Sequence, residues 1–162
     1  SLLAGPSNLN MFSGGISNKT SRLYRALVDK EYVVSVHGGA QATIDPFVYT
    51  ITMTIHPSRQ PEEALAALDR EIRRVREARV TREEIRRASK QARALFAYGS
   101  ENITNQAFWL GYAEMFANYS WFETYLDKLS AVTAQEIQRV ANEYFKPQSR
   151  VVGTYVPLER QA

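Results

Sequence analysis

The chain contains no cysteine and only two histidines, His37 and His56. The first absence excludes disulfides and thiolate metal sites, and it leaves cytoplasm and periplasm equally open as compartments. The second leaves too little imidazole for a hydrolytic metal centre, which draws on clustered His and carboxylate ligands. Neither histidine stands in the spacing that places two on one helix face. If residues 32–37 and 47–56 pair as a hairpin centred near residue 43 or 44, His37 falls opposite roughly Thr50 and His56 near Tyr32, so the two are not neighbours. No metal site is expected from this chain alone. There is also no Gly-x-Ser-x-Gly, and no glycine loop ending in Gly-Lys-Ser/Thr, so nucleophile and phosphate-loop chemistry have no foothold. Bilayer spanning needs about 20 apolar residues, and the aromatic-rich run from Asn102 is broken by Glu114 and Glu123. A soluble protein outside the membrane is expected. Position 1 is not Met and no leader pattern follows it, so the chain is expected to be a fragment.

What is present suits one domain: 162 residues, of which 44% are apolar and 23% charged, enough for a real core under a solvated surface. The net charge of +3 is small for this length. Basic residues concentrate between Arg70 and Arg93, but Asp69, Glu71, Glu77, Glu83 and Glu84 interleave with them. Salt-bridged, solvated helices account for that mixture, and a basic-helix nucleic-acid binder is the remoter reading.

The opening "SLLAGPSNLNMFSGGISNKT" reads as a short apolar turn of helix and then a loop. A helix is expected from about Lys19 to Lys30, with Leu23, Leu27, Tyr24 and Val28 inward. The period then switches. A strand over 32–37 precedes the turn-rich "GGAQATIDP", and "FVYTITMTIH" alternates, with Phe47, Tyr49, Ile51, Met53 and Ile55 on one face and Val48, Thr50, Thr52, Thr54 and His56 on the other. Pro61 opens a helix whose stripe is Leu65, Leu68, Ile72 and Val75. Thr81 with Glu84, and Thr133 with Glu136, form capping boxes, stapled by Val80 with Ile85 and by Val132 with Ile137. Between them "NITNQAFWLGYAEMFANYSWFETYLDKLSAV" makes two helices apolar on most sides, broken near 118–120, which must be deeply buried or pressed against a partner. "RVVGTYVP" is expected to close the sheet. The order β, β, four helices, β is an α+β fold: an antiparallel sheet with helices packed on one face.

Arg25 and Tyr32 stand seven residues apart across the helix-to-strand switch. Two readings are open. Arg25 is a solvated helix residue paired with Asp29, and Tyr32 a strand residue with its ring in the core. Alternatively, an always-charged fork and a phenol aim hydrogen bonds at a peptide carbonyl and stabilise an oxyanion developing there.

Taken in order, "TSRLYRALVDKEYVVSV", the polar-faced strand, "VTREEIRRASKQ" and "VTAQEIQRVANEYFKP…VVGTYVP" resemble the C-terminal, non-zinc-binding domain of the insulinase (pitrilysin) family of zinc metallopeptidases. Mitochondrial processing peptidase and the complex III core proteins are relatives. The resemblance spans nearly all of residues 1–162 as one C-terminal-type domain, most strongly 20–36 and 80–157. It implies two homologous halves closing around a chamber, one bearing zinc on an inverted His-x-x-Glu-His helix. The other half supplies an arginine and a tyrosine, seven apart, that reach the substrate backbone. Arg25 and Tyr32 match that pair. Thr50, Thr52 and Thr54 would face the chamber, where a peptide could add to a strand edge. Two departures accompany the likeness. The zinc helix is absent, so the chain alone should be inactive. The family's strands before the first helix are also missing, which invites self-association through an open sheet edge.

The expectation is thus the substrate-clamping half of a zinc metalloendopeptidase, with zinc in a homologous partner half on the same or another chain, and with peptide as substrate. The alternative is a catalytically inactive structural subunit of the same fold. Whether the parent protein is active, which peptides it takes and in which oligomeric state are not legible in these residues.

Overall fold

The computed structural model describes residues 2–4, 19–40, 43–45 and 47–157. The loop expected over residues 5–18 therefore lies outside the described residues, as do positions 41, 42 and 46 of the hairpin turn. Residues 2–4 form a turn whose carbonyls serve the start of the first helical segment: Arg22 N–H donates to the Leu2 carbonyl at 3.3 Å and Leu23 N–H to that of Leu3 at 3.0 Å.

Leu23 and Leu27, four apart as the helical period demands, are fully buried. The helix that carries them is shorter and wider than expected. Tyr24–Val28 is a π-helical turn, in which the Asp29 N–H reaches back five residues to the Tyr24 carbonyl at 3.1 Å. Strands β1 (Val33–Ala40) and β2 (Tyr49–Ile55) follow as an antiparallel pair. Val33 and Val36 are both buried although three apart, a spacing that would put them on opposite faces of a regular strand. A bulge between Val33 and Ser35 restores the alternation. Beyond it Val36 opposes Met53 and Gly38 opposes Ile51 on the core face, while Ser35, His37 and Gly39 oppose Thr54, Thr52 and Thr50 on the wet face. The bulge also corrects the expected register, since His37 lies across from Thr52 rather than Thr50. Gly38 is required by a close approach: a Cβ there would lie 2.8 Å from that of Ala4 and 3.2 Å from the Thr50 carbonyl oxygen.

Five helices follow β2, matching the five segments read individually in the sequence rather than the four of the summed order: α1 (Pro61–Glu77), α2 (Arg82–Gly99), α3 (Ile103–Phe116), α4 (Ser120–Ala131) and α5 (Ala134–Tyr144). The core joins Leu23, Leu27, Val33 and Val36 to Ala64, Ala67 and Leu68 of α1, with Ile51, Met53, Ile55, Leu65 and Ile72 half-buried against it. Helix α5 packs on α1, and α4 on both α2 and α3. The fold is α+β, with the corner turn and α1 covering one face of the hairpin. Both threonine capping boxes are present: Glu84 and Glu136 carboxylates each accept the backbone N–H of Thr81 and Thr133 at 2.8 Å, and each hydroxyl accepts in return at 3.2 Å. Val80 is buried beside its cap, whereas Val132 is 39% exposed and makes no buried staple.

One expectation is narrowed and another overturned. Of the two alternatives for the aromatic helices, deep burial fails for α3 and α4, since Ala113 is the one buried residue described between them and Ile103, Met115 and Tyr119 are exposed, which leaves contact with a partner. Their rings instead cover one another in a chain running from Phe96 of α2 through Tyr125, Trp121, Phe116 and Tyr112 to Phe108. The final run joins no sheet: residues 151–157 are exposed and outside any described strand, with Val151 and Tyr155 almost wholly in solvent. Arg150 is drawn into an ion pair with Asp69 of α1, and the chain beyond it has no ladder neighbour among the described residues.

Glu84 does more than cap α2. Its carboxylate also takes a bidentate contact from Arg22, with Nε at 2.8 Å and Nη2 at 3.1 Å, tying α2 to the start of the corner. Partial desolvation pushes this carboxyl up, but the hydrogen bonds from Arg22 and Thr81 outweigh it and hold the pKa at about 2. A carboxyl depressed on folding adds stability that is complete above its ordinary value of 4.5 and is lost as the pH falls through about 2. The urea midpoint of Glu84→Gln should therefore lie below that of the unsubstituted protein near neutrality, and the gap should close across that acid window. A gap independent of pH would contradict this account.

Candidate functional site

The helix-to-strand corner is built by backbone closure. After the π turn, Glu31 N–H donates to the Val28 carbonyl at 3.0 Å and Tyr32 N–H to the Leu27 carbonyl at 2.9 Å. These are the two hydrogen bonds of a Schellman ending, which needs a left-handed residue between them, and Glu31 takes that role at φ 55°. The strand side is fixed as well, for the His56 N–H donates to the Tyr32 carbonyl at 3.1 Å. Tyr32 is thus held through both of its backbone groups at the point where the helical period ends.

Neither member of the expected pair is entombed. Arg25, inside the π turn, is exposed, and among the described residues its guanidinium engages no partner, so the expected pairing with Asp29 does not form. Tyr32 is half-buried, its ring body packed on the core and its hydroxyl without a hydrogen bond among the described residues. Two strong donors on one corner are therefore left available.

A third residue shapes the corner, and nothing in the sequence pattern marked it. Arg59, in the turn between β2 and α1, lays its guanidinium 5.0 Å from the centroid of the Tyr32 ring. Its Nε donates to the Glu31 carbonyl at 3.3 Å, and Nη1 lies 3.5 Å from Glu63 Oε1. Glu63 in turn accepts the Gln60 N–H at 3.0 Å, capping α1.

The wet face of the hairpin lies beside this corner. Thr50, Thr52 and Thr54 are exposed, Ser35 donates to the Thr54 hydroxyl at 3.1 Å, and His37 faces solvent opposite Thr52. His56 Nδ1 is 2.7 Å from the Ser58 hydroxyl, a local strand-end contact. Among the described residues no three His, Asp or Glu side chains cluster as metal ligands do. In the basic stretch Arg74 pairs with Glu71 at 2.8 Å and Arg87 with Glu83 at 3.7 Å, the interleaved pattern expected of solvated helices.

Comparison with known proteins gives a consistent picture. The family model described as "Peptidase M16 inactive domain" matches residues 7–92, more than half of the chain. No curated protein matches. A structure described as the inactive peptidase domain of a zinc protease from Bordetella parapertussis is 20% identical with TM-score 0.80, over 99% of this chain and 81% of that one. One described as a zinc protease from Bordetella pertussis Tohama I is 22% identical with TM-score 0.76, over 87% and 78%. A protease from Helicobacter pylori is 19% identical with TM-score 0.78 over 92% of this chain, which spans 33% of that longer chain. At these identities the structures speak for the fold alone.

A left-handed conformation costs a residue with a side chain about 1–2 kcal/mol, and glycine adopts it freely at some loss of unfolded-state entropy. Glu31→Gly should consequently raise the unfolding free energy by up to about 1 kcal/mol. A lower denaturation midpoint in that variant would show that the corner does not hold the strain assigned to it.

Proposed function

This chain belongs to the family of the peptidase M16 inactive domain, and from that premise we propose that it is the substrate-clamping, non-zinc-binding half of a zinc metalloendopeptidase acting on peptides or unfolded polypeptide. It is the family to which the motifs of residues 20–36 and 80–157 pointed. In this reading residues 1–162 form a single C-terminal-type domain, and a homologous half, on the same chain or another, carries the zinc. The described residues offer no ligand cluster of their own.

The observation that carries the reading is the corner. Arg25 lies in the π turn and Tyr32 at the end of the doubly hydrogen-bonded turn that follows it, and both donors are unengaged among the described residues. A scissile carbonyl gains negative charge as it is attacked, and donors already in place stabilise that charge more than they stabilise the ground state. Arg25 supplies a permanent positive charge and Tyr32 a neutral donor, so together they grip a peptide backbone without regard to its side chains. The exposed threonine face offers hydroxyls to an extended peptide. The hairpin's two outer edges, unpaired among the described residues, are also a route to self-association.

A second reading, an inactive structural subunit, draws on the apolar side chains that α3 and α4 leave in solvent, Ile103, Met115 and Tyr119 among them, as an assembly surface. One experiment separates the two. In the protein assembled with its zinc-bearing half, Arg25→Ala and Tyr32→Phe should each lower kcat for peptide cleavage by about 10²–10³-fold, as losing one oxyanion donor does. Unchanged cleavage in both variants would remove the donor role, and no cleavage by the unsubstituted assembly would leave the structural subunit as the better account.

A further inference from the structure

We infer that Arg59 is a positioning residue, which locks the Tyr32 ring and through it the direction of the phenol. The inference rests on the reading of Tyr32 as a substrate donor and deepens it. Tyr32 packs against the core yet is only half-buried. Backbone closure fixes its Cα through the Leu27 carbonyl and the His56 N–H, but neither hydrogen bond restrains the side-chain torsions. The guanidinium, 5.0 Å from the ring centroid, adds to the packing on the core a contact that does.

The guanidinium is itself aimed from two sides. Its Nε–H donates to the carbonyl of Glu31, the left-handed residue of the corner, and Nη1 faces the carboxylate of Glu63, which also caps α1. A planar fork can satisfy an acceptor at its edge while its face lies on a ring, and an ammonium group has no such shape. One side chain therefore links the start of α1, the strained turn and the ring. Holding a reacting group in place matters because a misplacement of about 1 Å can cost about 10²-fold in rate. Sequence position gives no hint of this, for Arg59 comes 27 residues after Tyr32.

The test is a double-substitution cycle on peptide cleavage, with the protein assembled with its zinc-bearing half. Arg59→Gln should lower kcat/KM by about 10-fold when Tyr32 is present, through kcat rather than KM, and by less than about 2-fold on a Tyr32→Phe background. Arg59→Lys should recover part of the loss, keeping the charge without the fork. Equal effects of Arg59→Gln on both backgrounds would overturn the inference. The ring is also watched directly, by fluorine NMR on protein carrying ring-fluorinated tyrosine, with the Tyr32 signal assigned by its disappearance in Tyr32→Phe. That signal should shift and sharpen in Arg59→Gln, and an unchanged signal overturns the inference whatever the kinetics show. If Tyr32→Phe alone leaves cleavage intact while the signal still moves, the donor role of Tyr32 fails and the restraint of its ring stands.

Discussion

The hydrogen bond from the Tyr32 N–H to the Leu27 carbonyl is the contact on which the rest of the corner depends. It can form only because Glu31 accepts a left-handed backbone, and it turns the chain from a helix whose Leu23 and Leu27 are fully buried into a strand whose Val33 is buried on the same core. The turn thus joins two elements that share one apolar interior. Strain of this kind persists where surrounding contacts over-determine it, and here they do: Leu27 below, the His56 N–H across the strand, and Arg59 on the Glu31 carbonyl.

The same constraint separates the molecule into a tightly built end and a looser one. Corner, hairpin and α1 enclose the aliphatic core, with α5 against α1. Helices α2 to α4 depend on a different device. The Arg22–Glu84 pair pins the start of α2 to the corner, and from there a run of ring contacts carries cohesion into α3 and α4. Aromatic pairs contribute about 0.5–1.5 kcal/mol each beyond the area they bury, which suits a surface that must hold together while Ile103, Leu110 and Met115 stay wet. Burial raises the pKa of the Tyr125 phenol, in keeping with its place inside that run.

Much of this was legible from residue pattern, and the reasons are local. The switch of period at Lys30, the alternation of Ile51, Met53 and Ile55 with Thr50, Thr52 and Thr54, and the threonine–glutamate caps each depend on neighbours within a few residues. The features that escaped depend on distant ones. The π turn looks like any amphipathic helix in sequence, because Leu23 and Leu27 keep the same four-residue spacing. The bulge at Val33 shows only once β2 sets the register. The last run, rich in β-branched residues, has the composition of a strand, yet composition cannot provide the edge against which a strand must lie. Arg59 escaped for the same reason, since two of its three contacts, with Glu31 and Tyr32, reach back to the corner, and an arginine after a strand is ordinarily a surface residue.

Those contacts also bear on how a half-site can stay ready without its partner. A donor pair meant for a peptide gains most if it need not be ordered afresh when substrate arrives, because each immobilised side chain costs about 0.5–1.5 kcal/mol of binding energy. Under the proposed function Tyr32 meets that demand: its backbone is tied on both sides and its ring contacts both the core and the Arg59 cation. Arg25 does not, being exposed and without a partner among the described residues. In that reading a restrained phenol and a free guanidinium divide the labour with physical sense. The neutral donor, whose hydrogen bond depends steeply on angle, needs alignment, whereas a full charge attracts an oxyanion over a wider range of directions and loses less by moving.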